Sequence, residues 1–234
     1  MRRNIFAAFA VALALGACEG TGNLPPSSPT GRVKLVNMVT DAAGIDLRSE
    51  GITVVGPVTF GAASGYKRVA VDVGEVSINR TDNGNVLGLD TLALTVGRRY
   101  SLYGLGIQAQ FRSVFVADDT LPPDSSSVKV RVVHGYRTLN ASGLDVYATL
   151  PTDTLGAIPP IVGGIGYALA SSYQTIDTGL VRFRVRESGG SVTDLVDTTL
   201  AVRLSPRGVY TVVATEGVGG NPPMVLRFVP DTIP

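Results

Sequence analysis

The chain has no tryptophan, a single cysteine and a single histidine in 234 residues. One cysteine excludes an internal disulfide framework, so a fold outside the cytoplasm must be held by buried apolar area instead. One histidine beside one cysteine is too little for the nitrogen and sulfur sets that hold zinc. Neither sign of charge dominates, with 20 Lys and Arg against 19 Asp and Glu. Nucleic-acid binding needs a basic face, and this balance gives no reason to expect such a partner. Aromatic side chains are few, 8 Tyr and 7 Phe. Sustained apolar spacing of three and four, the mark of an amphipathic helix, is missing beyond the first eighteen residues.

What is present starts with Met1-Arg2-Arg3 and a run of apolar or small residues from Ile5 to Ala17. That run is thirteen residues long, short of the roughly 20 a helix needs to cross a bilayer core. It therefore reads as a removable secretory signal spanning residues 1–17. The following Leu15-Gly16-Ala17-Cys18 resembles the lipobox of bacterial lipoproteins. The resemblance implies a diacylglyceryl thioether on Cys18 and an acylated amino terminus, so the membrane becomes a partner through lipid on Cys18. Several acyl chains on one residue exceed the single chain that gives only reversible binding. The alternative is an ordinary secreted protein with an incidental Cys18. The expected location is the bacterial cell envelope, with the outer membrane or cell surface favoured over the inner membrane, although Glu19 leaves the choice of membrane open. Residues 18–31 include Pro25, Pro26, Ser27, Ser28 and Pro29 and few apolar side chains, the composition of an extended tether.

An internal repeat organises the rest. Val33 to Asn37 matches Val130 to His134, and Gly44-Ile45-Asp46-Leu47 matches Gly143-Leu144-Asp145-Val146. Phe60 to Tyr66 matches Tyr167 to Tyr173, Tyr100-Ser101-Leu102 matches Tyr210-Thr211-Val212, and Val114-Phe115-Val116 matches Arg227-Phe228-Val229. The second copy is longer, chiefly between Thr149 and Gly166. Expected boundaries are 32–121 and 128–234, joined by a linker at 122–127. In the first copy, short Val/Leu/Ile/Thr runs bounded by turn residues predict strands near 33–39, 44–48, 52–60, 66–72, 75–81, 87–96, 99–106 and 111–117. Short strands at such intervals predict an all-β chain of two tandem antiparallel β-sandwiches, Ig-like or transthyretin-like.

Four blocks in the second copy carry a family likeness: Val130 to His134, Leu144-Asp145-Val146-Tyr147, Tyr173 and Gly208-Val209-Tyr210-Thr211. The pattern resembles the domain-of-unknown-function family DUF4397 of secreted and surface-attached bacterial proteins. The first copy matches less well, with Asn37 for the histidine and Arg48 for the tyrosine. Gly135-Tyr136-Arg137-Thr138 departs from the Ala-Ser-Pro-Asp-Ala-Pro that usually follows the histidine. The resemblance implies paired extracellular sandwiches and supplies no activity.

A Ser-His-Asp triad would have to use His134, yet no Gly-x-Ser-x-Gly elbow surrounds any serine. Since Asn37 occupies the matching position, a polar strand-end residue bonded to a neighbouring loop accounts for both copies. Calcium needs only oxygens, and Asp118-Asp119 with Asp124, or Asp82 with Asn83 and Asn85, could offer some. Neither set has calcium-loop spacing, and both read as solvated turns. Gly104-Leu105-Gly106-Ile107-Gln108-Ala109 mimics part of a dinucleotide fingerprint but precedes a strand-like segment, so it reads as a β-turn. Arg182, Arg184 and Arg186 share one face of a strand and read as a solvent-facing or edge stripe. Thus no catalytic, cofactor or metal residue is assigned, and Cys18 is the one site. The expected function is a non-catalytic, lipid-anchored envelope module that binds an envelope protein or scaffolds. A carbohydrate-binding surface protein with a glycan ligand is the alternative, and a hydrolase using His134 a distant third.

Overall fold

The computed structural model describes residues 28–139, 141–155, 158–191, 195–198, 201–217 and 224–231. The signal segment, Cys18 and most of the tether lie outside the described residues. The first half holds β1 (Thr30–Val39), β2 (Gly44–Ser49), β3 (Ile52–Thr59), β4 (Lys67–Ala70), β5 (Glu75–Arg80), β6 (Val86–Thr91), β7 (Arg99–Gly106) and β8 (Arg112–Ala117). Each of the eight stretches read as strands from the first copy corresponds to one of these. The second half holds β9 (Ser127–Gly135), β10 (Leu144–Thr149), β11 (Val162–Ile165), β12 (Gln174–Asp177), β13 (Gly179–Glu187), β14 (Leu195–Thr198), β15 (Val202–Leu204), β16 (Val209–Glu216) and β17 (Met224–Pro230).

The protein is all-β, built as two tandem β-sandwiches. One is formed by the sheets β4-β1-β7-β8 and β3-β2-β5-β6, the other by β12-β9-β16-β17 and β11-β10-β13-β14 with β15 joined to β13. One feature departs from the antiparallel expectation: β1 runs parallel to β7, and β9 parallel to β16. The chain leaves β1 for the facing sheet, returns antiparallel as β4, leaves again through β5 and β6, and returns on the other side of β1 as β7. A parallel pair needs a long crossover, and the intervening strands supply it. The two halves also differ at one hairpin. Glu50 and Gly51, both at positive φ (49° and 79°), make the tight β2–β3 turn, the conformation favoured in two-residue hairpins. The corresponding β10–β11 connection is the long loop expected between Thr149 and Gly166.

Alternation places the cores. Val33, Leu35, Ile45, Leu47, Val76, Ile78 and Leu102 fill the first sandwich. Val130, Val132, Val146, Phe183, Val185 and Val212 fill the second. A third cluster lies between the two: Val36, Met38, Tyr103, Leu105 and Val114 from the first half meet Val133, Val213 and Val229 from the second. The sheets carrying β1 and β9 therefore face each other, giving four stacked layers. This explains why Val33 to Val39 is buried without interruption. Strands covered on both faces lose the half-buried alternation of an outer sheet.

Candidate functional site

His134 closes β9 and is fully buried. Its Nδ1 accepts the Tyr136 N–H at 3.2 Å, and Nε2 lies 3.3 Å from the Leu139 carbonyl oxygen. The pairing sets the tautomer: Nε2 carries the proton and donates it to Leu139. Burial pushes the imidazole pKa down to about 4. At the matching end of β1, Asn37 does the same with an amide. Its Oδ1 accepts the Val39 N–H at 2.9 Å and its Nδ2 donates to the Val58 carbonyl at 3.0 Å. His134 thus ties its strand end to the turn that follows, as the sequence implies, whereas Asn37 ties its own to strand β3. Among the described residues no serine or carboxylate hydrogen-bonds the His134 ring.

The charges of the inner sheets form a paired network. Lys34 on β1 donates to Asp231 Oδ1 at 2.6 Å, and Arg131 on β9 donates to Asp118 Oδ1 at 2.6 Å. Each cation thus pairs with an aspartate of the other sandwich. Each aspartate is in turn held by hydroxyls of its own half. Tyr66 and Ser101 donate to Asp118 Oδ2, both at 2.7 Å. Tyr173 and Thr211 donate to Asp231 Oδ2, at 2.8 and 2.6 Å. The cations also lie over the rings of these tyrosines, Lys34 5.0 Å from the Tyr66 centroid and Arg131 4.7 Å from that of Tyr173. All four charged side chains are nearly or fully buried. Burial, reinforced by the neighbouring aspartates, raises the pKa of Tyr66 and Tyr173 above the ordinary phenol range, so both keep the proton they donate. Every oxygen of Asp118 and Asp231 has a partner, which makes the network a structural clamp with no acceptor left open.

Asp118 is thus a buried interface residue, not part of a solvated turn, and this corrects the sequence reading. Its neighbour Asp119 instead accepts from the Leu121 N–H and pairs with Lys129. The other acidic turn is as expected: Arg80 holds Asp82 in an exposed two-nitrogen pair, which lowers the Asp82 pKa, and Asn83 caps the Asn85 N–H. Among the described residues no three or more His, Cys, Asp or Glu converge as a metal set. The arginine stripe is a second correction. β13 is flanked by β10 and by β14 and β15, so it is not an edge. Arg184 is buried and donates to the Asp153 carbonyl at 2.8 Å, while Arg186 pairs with Asp145 and covers the Tyr147 ring. The long loop of the second half folds back over this face, which the repeat alone did not reveal.

Two of the concavities among the described residues bear on function. One, of about 390 Å³, opens at the end of the second sandwich; Ala148, Ile176 and Val181 line it together with Thr149, Asp153, Thr175 and Asp177. The other, of about 250 Å³, lies where the halves meet and is lined by Ala109, Gln110, Arg112, Arg137 and Tyr167. The glycine-rich segment builds one wall of it. Gly104 lies within β7, Gly106 turns the chain at φ +88°, and a 3-10 turn at Gln108–Gln110 leads into β8. Opposite, Arg137 Nε donates to Glu216 Oε1 at 3.1 Å and its Nη1 to Gln110 Oε1 at 2.9 Å. The Tyr167 hydroxyl is buried and has no hydrogen-bond partner among the described residues. Burial, then the Glu216 charge, raises its pKa, against the opposing pull of Arg137 and Arg112.

A family model described as a domain of unknown function, DUF4397, matches residues 31–147, half of the chain. The chain belongs to DUF4397. The match covers the first sandwich and continues through β9 and most of β10. The family likeness is therefore not confined to the second copy, where the sequence blocks stand out most. Solved structures similar to this DUF4397 chain include a streptococcal family 41 carbohydrate-binding module that recognises α-glucan. It is 9% identical with a TM-score of 0.28, over 78% of this chain and 93% of that one. A multi-modular glycogen-degrading pneumococcal virulence factor, SpuA, is 9% identical with a TM-score of 0.26, over 80% of this chain and 23% of that one. A leucine-rich repeat protein from Bacteroides thetaiotaomicron is 12% identical with a TM-score of 0.19, over 82% of this chain and 27% of that one. These scores are too low to carry a function across. No curated protein sequence matches the chain.

The inter-sandwich clamp was not anticipated, yet it left a trace. Lys34 aligns with Arg131, Tyr66 with Tyr173, Ser101 with Thr211 and Asp118 with Asp231. Polar character kept at four aligned positions, two in strands and two at strand ends, points to a shared buried role, and this was the signal available.

Proposed function

We propose that this DUF4397 chain is a non-catalytic module of the bacterial cell envelope, anchored by lipid on Cys18, that scaffolds or binds a partner at the cell surface. The single observation that carries the reading is the clamp between the sandwiches. Two buried ion pairs, each completed by hydroxyls, lock the halves into one body rather than leaving them to pivot on a linker. Stiff construction after a tether of Pro and Ser suits a part that presents a surface at a fixed distance from a membrane. The state of His134 supports the absence of hydrolytic chemistry: both ring nitrogens are committed to backbone groups, and the ring is neutral at physiological pH. Labelling with a radioactive fatty acid tests the anchor. Wild-type cells should incorporate label into the protein and Cys18→Ser cells should not; equal labelling would refute lipidation.

Carbohydrate binding is the second reading, favoured by the larger cleft. Its aliphatic floor and its ring of Thr149, Thr175, Asp153 and Asp177 offer donors and acceptors suited to sugar hydroxyls. A glycan array probed with the mature protein separates the readings. Saturable binding to a sugar class, lost on Asp177→Ala, would support the second; an empty array would leave scaffolding as the function.

A further inference from the structure

We infer that the cleft between the sandwiches is a binding site for a small carboxylate. Its wall from the first half brings Gln110 and Arg112, and its wall from the second brings Arg137 and Tyr167. Arg137 is fixed from behind, since Glu216 Oε1 accepts from both its backbone N–H and its Nε, at 2.7 and 3.1 Å. Gln110 fixes Nη1 from the opposite wall. The second terminal nitrogen of Arg137 makes no hydrogen bond among the described residues. The Arg112 side chain is exposed and, among the described residues, donates only to the adjacent Phe111 carbonyl. Tyr167 reaches across to the first half. Its hydroxyl lies 3.1 Å from where a Cβ on Gly106 would be, so a glycine there admits it.

A buried hydroxyl without a partner is costly in a folded protein. The Tyr167 hydroxyl shares the cleft with the guanidiniums of Arg112 and Arg137. The Glu216 carboxylate, whose Oε2 is likewise buried without a partner among the described residues, is near enough to raise the hydroxyl's pKa. A carboxylate seated on the Arg112 side would satisfy the hydroxyl and the free guanidinium together. The charge count selects the anion. Glu216 neutralises Arg137, and Arg112 remains as about one surplus positive charge. A monoanion matches that surplus, and a second negative charge would stand against Glu216. A carboxylate accepts from planar guanidinium donors with both oxygens. The cavity, at about 250 Å³, is smaller than the roughly 300–1,000 Å³ of drug-sized pockets, which fits one sugar acid or a chain end rather than a large ligand. This inference goes beyond the proposed anchoring: a chain that fails to bind carboxylates could still be an envelope scaffold.

The test is calorimetric titration of the mature full-length protein with D-glucuronate, with D-glucose and inorganic phosphate as comparison probes. Saturable binding of glucuronate, absent with glucose and weaker with phosphate, is expected. Arg112→Gln should weaken it by about tenfold or more, the usual worth of a charge-assisted contact. Tyr167→Phe removes an atom with no hydrogen-bond partner among the described residues, so its melting temperature should equal or exceed the wild type. The same variant should lose most of the thermal shift that glucuronate gives the wild type. Absence of glucuronate binding, binding unchanged in both variants, or tighter binding of phosphate would each overturn the assignment.

Discussion

Replacing Asp231 by alanine tests the clamp directly. Asp231 is fully buried and accepts from Lys34, Thr211 and Tyr173, with Arg131 a further 3.6 Å away. The substitution leaves the Lys34 ammonium, itself 3% exposed, without its counter-charge and two hydroxyls without an acceptor. Lys34 also donates to the Pro230 carbonyl at 2.8 Å, which softens the loss without neutralising the charge. Removing one partner of a buried pair typically costs about 3–5 kcal/mol. Against a total stability of roughly 5–15 kcal/mol for a folded domain, that is a large share. Equilibrium urea unfolding measures it, followed by circular dichroism and tyrosine fluorescence, since the chain has no tryptophan. Pairing Asp231→Leu with Lys34→Met should recover a good part of the loss, because an apolar pair of similar volume is tolerated where a lone charge is not. A loss below about 1 kcal/mol for Asp231→Ala would refute the claim that the clamp holds the halves together.

His134 sets a pH dependence. Its folded pKa of about 4 lies below the ordinary 6.5, so the unfolded chain takes up the proton first. The stability from neutral burial is complete above pH 6.5 and is lost as the pH falls toward 4, by about 3 kcal/mol in all. His134→Asn, copying Asn37, should fold and flatten that part of the pH–stability profile; an unchanged slope would contradict it. Phe183→Ala opens the second core, where Phe183 is fully buried against Phe228, and should cost about 3–5 kcal/mol in the same urea assay. Gly106→Ala strains a positive φ and brings a Cβ within 2.8 Å of the Gln110 carbonyl, so a lower melting temperature is expected, by several degrees. Residues 128–234 alone would expose Val133, Val213 and Arg131; sedimentation should find the fragment self-associated or poorly folded rather than a stable monomer.

The strands were legible because their signals are local. Gly97, and Asp82 to Asn85, punctuate runs of β-branched residues, and Val181-Arg182-Phe183-Arg184-Val185-Arg186 shows the alternation that sends Phe183 inward. The role of His134 was legible from its partner in the repeat. Direction and layering were not. Nothing in β1 or β7 alone says that they run parallel, since that depends on how often the chain crosses between sheets. The burial of Arg184 depends on where the long loop settles, and that of Asp118 on a second sandwich lying against the first. The cleft was hidden for the same reason: Arg112 and Tyr167 are far apart along the chain, and only the stacking of the two halves gives them a common wall.

The reciprocal placement of Lys34 with Asp231 and Arg131 with Asp118 is the pattern a two-fold dimer of one sandwich would show, here joined by a linker. Partner choice at that surface is settled by covalent connection, independent of protein concentration. Dilution at a cell surface would separate a true dimer but leaves this arrangement whole. The faces that mediate self-recognition are also already occupied within each molecule. A neighbour that approaches through the outer sheets meets the Arg186–Asp145 and Arg48–Asp46 pairs.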